Sequence, residues 1–349
     1  MKIALIRRRW TPTGGAERYL LGLAKELRKQ GCKPYLICQS WSETPPGLFE
    51  EVYSLPIAGQ RAQEPELFAS AVNIFLNKNP FDTVLSLERG IKADIYRAGD
   101  GVHREWLARR VFFRPIHGWL QNWFNPKNSV IKKLEKQTFS LSMTRHVIAN
   151  STMVRKNILR YFDYPAEQIS IIPNGINTTL FGSGNRAEGR TALGLSPNEF
   201  VCLLVGAGKE RKGHSFAQRV SNEAGVKLVI IDSPPPCSMP HVYAAADVFL
   251  FPTLYDPFAN VTLEAMAAGL PVVTTHDNGG SEVISSGING FVVSNAKEIK
   301  AMTDHINMLK DPIIRRNIGE AARITASQYT LELNVQRTVE LCQKISQIK

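Results

Sequence analysis

Cysteine is scarce and scattered in this 349-residue chain: Cys32, Cys38, Cys202, Cys237 and Cys342 form no C-x-x-C pair and have no histidine cluster beside them. That spacing argues against a zinc site or a disulfide framework, and the thiols are expected to be reduced. Long apolar runs are missing as well. The longest, such as residues 248–251, fall far short of the roughly 20 residues that cross a bilayer, so no membrane span is expected. The apolar opening from Met1 to Ile6 is too short for a secretion leader and has Arg7-Arg8-Arg9 on the wrong side, which makes a cytoplasmic location the expectation. Without a secretory route, the N-x-S/T sequons at Asn150, Asn177 and Asn260 carry no weight.

Acidic residues are the next deficit. The chain has 31 Asp and Glu against 42 Lys and Arg, a formal charge of +11, and such an excess points to an anionic partner. No helix-turn-helix, RNA-recognition or zinc-finger signature accompanies it, so nucleic acid is not expected. Basic residues cluster at Arg7 to Arg9, Arg104 to Arg114 and Lys127 to Lys136, the last two interleaved with Trp106, Phe112, Phe113, Trp119, Trp123 and Phe124. Rings and cations together suit the headgroup layer of an anionic membrane. A surface segment that packs its aromatics onto its own domain would have the same composition, and both readings stay open.

What is present is the balance of a folded protein, with 44% hydrophobic and 21% charged residues. The length suits two α/β domains better than one core. Lys2 to Arg7 reads as a strand, Pro12 to Gly15 as a turn, 16–30 as a helix and 34–39 as the next strand, a βαβ opening. Strands at 83–87 and 146–149 and a helix at 67–77 continue it. A second cycle has strands at 200–205, 226–231, 248–251, 271–275 and 290–293, with helices at 214–224, 242–246 and 262–268. The pattern predicts two doubly wound, Rossmann-like sheets with a linker at 172–177. From Ala296 onward the chain reads as mostly helical.

Three segments carry chemistry. Gly14 and Gly15 occupy the first strand-to-helix turn, where the missing Cβ admits a ligand to the backbone and the helix start attracts negative charge. They do not form G-x-G-x-x-G, so a dinucleotide oxidoreductase loses its main support. The run Gly206-Ala207-Gly208-Lys209-Glu210-Arg211-Lys212-Gly213 puts cations at the carboxyl end of a parallel strand, where α/β sheets bind ligands. An Arg fork and a Lys point charge there suit a pyrophosphate. Finally, Asp256 in a loop and Glu264 on the following helix flank Pro257, Phe258, Ala259, Asn260, Val261, Thr262 and Leu263. The helix start offers N–H groups to phosphates or sugar hydroxyls, and Glu264 is suited to accept hydrogen bonds from a ribose diol.

Gly14-Gly15-Ala16-Glu17-Arg18, Ile148-Ala149-Asn150-Ser151, Ile172-Pro173-Asn174-Gly175-Ile176, Arg211-Lys212-Gly213, Tyr243-Ala244-Ala245-Ala246-Asp247 and Asp256 through Pro271 follow one another over nearly the whole chain. The ordered series resembles glycosyltransferase family 4. The resemblance implies a GT-B fold, an α/β architecture of two Rossmann-like domains facing each other across a cleft. Residues 1–172 would bind the acceptor, 173–330 the nucleotide-sugar donor, and 331–349 would form a helix packing back on the first domain.

The resemblance further implies a retaining transferase with no cofactor and no metal, in keeping with a sequence that has no D-x-D motif. Glu264 would hold the ribose and Asp256 the donor sugar's hydroxyls, with Pro257, Phe258, Ala259, Asn260 and Val261 lining the donor. Arg211 and Lys212 would neutralise the departing diphosphate, which Gly14 and Gly15 approach from the facing domain. Gln39-Ser40-Trp41 and Tyr96-Arg97-Ala98-Gly99-Asp100 are similar to the bacterial lipopolysaccharide-core glucosyltransferases. Asp100 matches their active-site aspartate, and His103 joins it among the donor-sugar contacts. A UDP-sugar donor, glucose as the hexose and a glycan or lipid-linked acceptor at the inner face of the cytoplasmic membrane follow from that likeness.

Two departures stand out. Asp256 replaces the first Glu of the family's E-x7-E pattern, which leaves the donor sugar open. Between Ile231 and Val242 a helix and strand that help form the nucleobase pocket are missing, which leaves the base open. Competing readings are an inactive GT-B-fold binding protein, opposed by the intact Glu264, Lys212 and Gly15, and a nucleotide-sugar epimerase or phosphorylase.

Overall fold

Every strand pair among the described residues is parallel, so no two consecutive strands form a hairpin. The computed structural model describes residues 1–9, 15–41 and 46–347. The chain divides into two compact units, Met1–Pro173 with Leu331–Lys349, and Asn174–Thr330.

The first unit opens with β1 (Lys2–Ile6), α1 (Gly15–Lys29), β2 (Lys33–Cys38), β3 (Val52–Ser54), α2 (Glu64–Lys78), β4 (Thr83–Ser86) and β5 (Ala93–Arg97). Three consecutive helices follow, α3 (His103–Phe113), α4 (Pro115–Phe124) and α5 (Pro126–Thr138), and then β6 (Thr144–Ala149), α6 (Thr152–Tyr161) and β7 (Ile169–Ile171). The strands form a seven-stranded sheet of order β3-β2-β1-β4-β5-β6-β7, with Leu5 opposite both Leu36 and Leu85. Alternation along β1 sends Ile3 and Leu5 to one face and Ala4 and Ile6 to the other, so each face has its own core.

The second unit contains α7 (Thr178–Gly182), α8 (Arg186–Ala192), β8 (Val201–Val205), α9 (His214–Ala224), β9 (Lys227–Ile231) and α10 (Met239–Ala245). It continues with β10 (Val248–Phe251), α11 (Asn260–Ala267), β11 (Val272–Thr275), β12 (Phe291–Val293), α12 (Ile299–Met308) and α13 (Pro312–Ala326). Its sheet has the order β12-β11-β10-β8-β9. Strands β8, β10 and β11 are buried on both faces, whereas the edge strand β9 is only half-buried. The short passage from β9 into α10 contains no further strand. The last helix, α14 (Leu331–Gln347), returns to the first unit: Val335, Val339 and Cys342 join the core beside α1, and Tyr19 donates to Thr338 at 3.3 Å. All five cysteines are free thiols.

The basic and aromatic stretch is the helical excursion α3 to α5. Prolines begin α4 and α5, where a missing N–H costs nothing, and Asn125 caps α5 by accepting from Lys127 N–H at 3.1 Å. The aromatics divide between the two readings of their composition. Phe113 is buried, whereas Ile116, Trp119, Trp123 and Phe124 are exposed, with the two tryptophan rings stacked 5.7 Å apart. No helix among the described residues is long and apolar enough to cross a membrane.

Candidate functional site

In a parallel sheet the loops at the carboxyl ends of the strands share one edge, and a ligand crevice forms where successive connections leave in opposite directions. In the second unit that point lies between β8 and β10, neighbours in the sheet with β9 on the far side of β8. The loop after β8 carries Lys212 and the loop after β10 carries Asp256. Lys212 Nζ donates to Asp256 Oδ2 at 2.5 Å, and both side chains are nearly buried. The ammonium also lies 5.0 Å from the centre of the Phe251 ring, over its face. Removing two charges from water is costly, so this nearly buried pair adds little net stability, and its place at the ligand edge makes it a candidate site.

The backbone holds this pair in place. Gly213 has φ +76, and a Cβ there would stand 1.9 Å from the Pro252 carbonyl oxygen, so only glycine lets the two loops touch. The Arg211 carbonyl accepts from Leu254 N–H at 2.9 Å and from the Thr253 hydroxyl at 2.7 Å. On the other side, Asp256 N–H donates to the Asp277 carbonyl at 2.8 Å, and the Asp256 carbonyl accepts from Gly279 N–H at 2.7 Å. Fully buried Asn278 ties the neighbourhood together. Its Oδ1 accepts from Gly280 N–H at 2.9 Å and Ala259 N–H at 3.3 Å, and its Nδ2 donates to Thr262 at 2.9 Å and Thr274 at 3.2 Å.

Glu264 lies on α11 and is buried, with Oε2 accepting from the Tyr243 hydroxyl at 2.7 Å. Of the residues between the two acids, Pro257, Phe258 and Ala259 are buried, the last two within the hydrophobic core, so their side chains hold the loop. Asn260 and Val261 are half-buried, as is Arg211. Asn260 Oδ1 accepts from Asn174 Nδ2 at 2.7 Å. Asn278, Tyr243 and Asn174 are neighbours of these residues that motif spacing alone does not single out. Tyr243 and Asn174 lie within two of the ordered motifs, and the Asn278-Gly279-Gly280 turn is the sequence signal for Asn278. Asp247, the acid of the Tyr-Ala-Ala-Ala-Asp motif, lies at the opposite edge of the sheet. It accepts from Val201 N–H at 2.8 Å and Arg190 at 3.1 Å, a structural role.

In the first unit, Gly14 lies outside the described residues and Gly15 is the first residue of α1. Asp100 follows β5 and is well exposed, with Oδ2 3.8 Å from Arg89. Arg89 donates to the Gly101 carbonyl at 2.7 Å and lies 3.5 Å from the fully buried Glu135. Glu135 also accepts from the N–H of His103 at 2.5 Å and of Arg104 at 3.2 Å, capping α3 in place of Val102, which has no side-chain acceptor. The His103 ring is engaged with Asn128 Oδ1 at 3.0 Å, and burial beside Arg89 pushes its pKa down to about 4, so it is neutral at physiological pH. Among the described residues no group of three or more His, Cys, Asp or Glu is placed to hold a metal ion.

These two sheets match solved GT-B glycosyltransferases. WaaG, a glycosyltransferase involved in lipopolysaccharide biosynthesis, aligns with a TM-score of 0.81 and 20% identity over 97% of this chain and 99% of that one. HepE of Anabaena, solved with UDP and glucose, aligns with a TM-score of 0.73 and 18% identity over 99% and 100%. Residues 13–180 match the description Glycosyltransferase Family 4, and residues 191–311 match Glycosyl transferases group 1. The protein thus has the GT-B fold. Glycosyltransferase family models match most of both units.

Among curated relatives, D-inositol 3-phosphate glycosyltransferase of Segniliparus rotundus is 24% identical over 53% of this chain and 49% of its own length. An uncharacterized glycosyltransferase of Methanocaldococcus jannaschii is 26% identical over 55% and 58%. The chain spans about half the length of these relatives.

Proposed function

We propose that this protein transfers a hexose, glucose, from a UDP-sugar to a glycan acceptor of the cell surface, such as the lipopolysaccharide core, with retention of anomeric configuration. The observation that carries the reading is the Lys212–Asp256 pair at the switch point of the second sheet, with Glu264 on the helix that follows. Lys212 and Arg211 stabilise the leaving diphosphate, as preorganised cations do for developing charge. Glu264 accepts from the ribose diol, Asp256 from hydroxyls of the sugar, and first-turn N–H groups of α11 at Asn260 and Val261 bond the donor. The first unit takes the acceptor, and Asp100 and a neutral His103 are its proposed residues at the donor sugar. The role needs no metal or cofactor. The likeness to HepE, solved with UDP-glucose, supports the donor class, and the likeness to WaaG supports the acceptor class.

The exposed rings of α4 beside the cations of α3 and α5 support a peripheral position on an anionic membrane, at the inner face where a lipid-linked acceptor is found. Incubation with UDP-glucose and with GDP- and ADP-sugars, with and without glycan acceptor, tests the activity. Acceptor-dependent release of nucleoside diphosphate is the expected result. Conversion of the sugar without acceptor would make the protein an epimerase, and no turnover of any donor would leave a binding protein on a GT-B scaffold.

A further inference from the structure

We infer that Asp256 is an internal competitor for Lys212, so that the site holds a nucleotide-sugar in preference to a bare nucleoside diphosphate and favours release of the spent nucleotide. This rests on the donor-site reading above. The carboxylate already engages the ammonium at 2.5 Å. A diphosphate that reaches Lys212 therefore meets a nearly buried negative charge, and like charges at such range repel strongly where water is scarce. Neither group can swing away at no cost. Asp256 is fixed through its main chain to Asp277 and Gly279, and the Lys212 stem lies along Gly206, where an added Cβ would come within 3.2 Å of Lys212 Cε.

The two ligands differ in what they offer Asp256. A nucleotide-sugar brings hydroxyl donors next to its diphosphate, so the carboxylate exchanges the ammonium for hydrogen bonds and stays satisfied. A nucleoside diphosphate ends in a phosphate that carries more negative charge and presents no donor at neutral pH. It leaves Asp256 unsatisfied and repelled. After transfer the hydroxyls depart with the acceptor, and Asp256 again competes for Lys212 as the diphosphate leaves.

Calorimetric titration of wild type, Asp256→Asn and Asp256→Ser with UDP, UDP-glucose and inorganic pyrophosphate tests this, with circular dichroism to establish that each variant is folded. The expected result is that UDP and pyrophosphate bind about tenfold more tightly to both variants, while UDP-glucose gains less or binds more weakly because its hydroxyls lose the carboxylate acceptor. Unchanged or weaker binding of UDP and pyrophosphate to the variants, in a wild type that binds UDP-glucose, overturns the competitor role and leaves the donor site standing. Tighter pyrophosphate binding in the variants of a protein that binds no nucleotide keeps the competitor role and removes the donor reading. Absence of binding by all three ligands removes both.

Discussion

The hydroxyl of Tyr243 donates to Glu264 Oε2 at 2.7 Å, and both side chains are buried. This bond commits one carboxylate oxygen to the protein and sets the direction of the other. Tyr243→Phe keeps the ring's packing against Phe181 and Phe249 and removes only the bond. The expected outcome is a donor KM raised roughly fivefold, the equivalent of about 1 kcal/mol, with kcat changed by less than about twofold. Steady-state kinetics with varied donor checks it; a fall in kcat at unchanged KM would contradict the positioning role.

Lys212→Ala removes the cation proposed to meet the leaving diphosphate. A loss of about 10²–10³-fold in kcat is expected at saturating donor, in the range seen when a preorganised charge-stabilising group is deleted. Unchanged turnover would contradict the role. The variant is also expected to be less stable, by about 3 kcal/mol, because Asp256 is left nearly buried and unpaired.

Asn278 makes four side-chain hydrogen bonds from a fully buried position. Asn278→Ala strands Thr and main-chain partners together, and a destabilisation of about 3 kcal/mol is expected in urea unfolding. Because the same residue holds the Asp256 loop, donor affinity is expected to fall with it.

His103, with its pKa pushed down to about 4 by burial, is expected to show an NMR titration midpoint near that value and none near 6.5. Between those two values the unfolded chain binds the proton that the folded ring refuses, so stability attributable to His103 falls as pH falls through this window. Arg89, Arg110 and Lys132 keep the ring neutral alongside burial. His103→Asn is expected to flatten the stability slope between about pH 6.5 and 4, measured against wild type.

The exposed face of α4 gives a separate test. Flotation with vesicles of anionic lipid at low salt is expected to carry the wild type upward, and Trp119→Ser with Trp123→Ser to reduce the floated fraction several-fold. Added salt weakens the contribution of the flanking cations. Failure of the wild type to float removes the membrane contact.

Much of the architecture was legible because its central strands are short apolar runs, as in β1, β8 and β10. Strand β5 was not, because Asp94, Tyr96 and Arg97 lie inside it. Asp94 accepts from Val84 N–H at 2.9 Å, and Arg97 packs over the Tyr19 ring, so polar residues are buried where a pattern search wants apolar ones. The helices α3 to α5 showed themselves as composition rather than as elements, since the cap of α3 comes from Glu135, 32 residues beyond its start. At the candidate site, Lys212, Asp256 and Glu264 could be named from spacing. That Lys212 and Asp256 meet each other, and that Tyr243 and Asn278 hold the acids and their loops, depends on the order of strands in the sheet, which no local pattern contains.

The most direct measurement is calorimetric binding of UDP, GDP, ADP and their sugar conjugates to wild type and to Glu264→Ala. Selective binding of the uridine pair, lost in the variant, is the predicted result. Equal binding by wild type and variant, or binding of no nucleotide by either, would contradict a donor site built on Glu264.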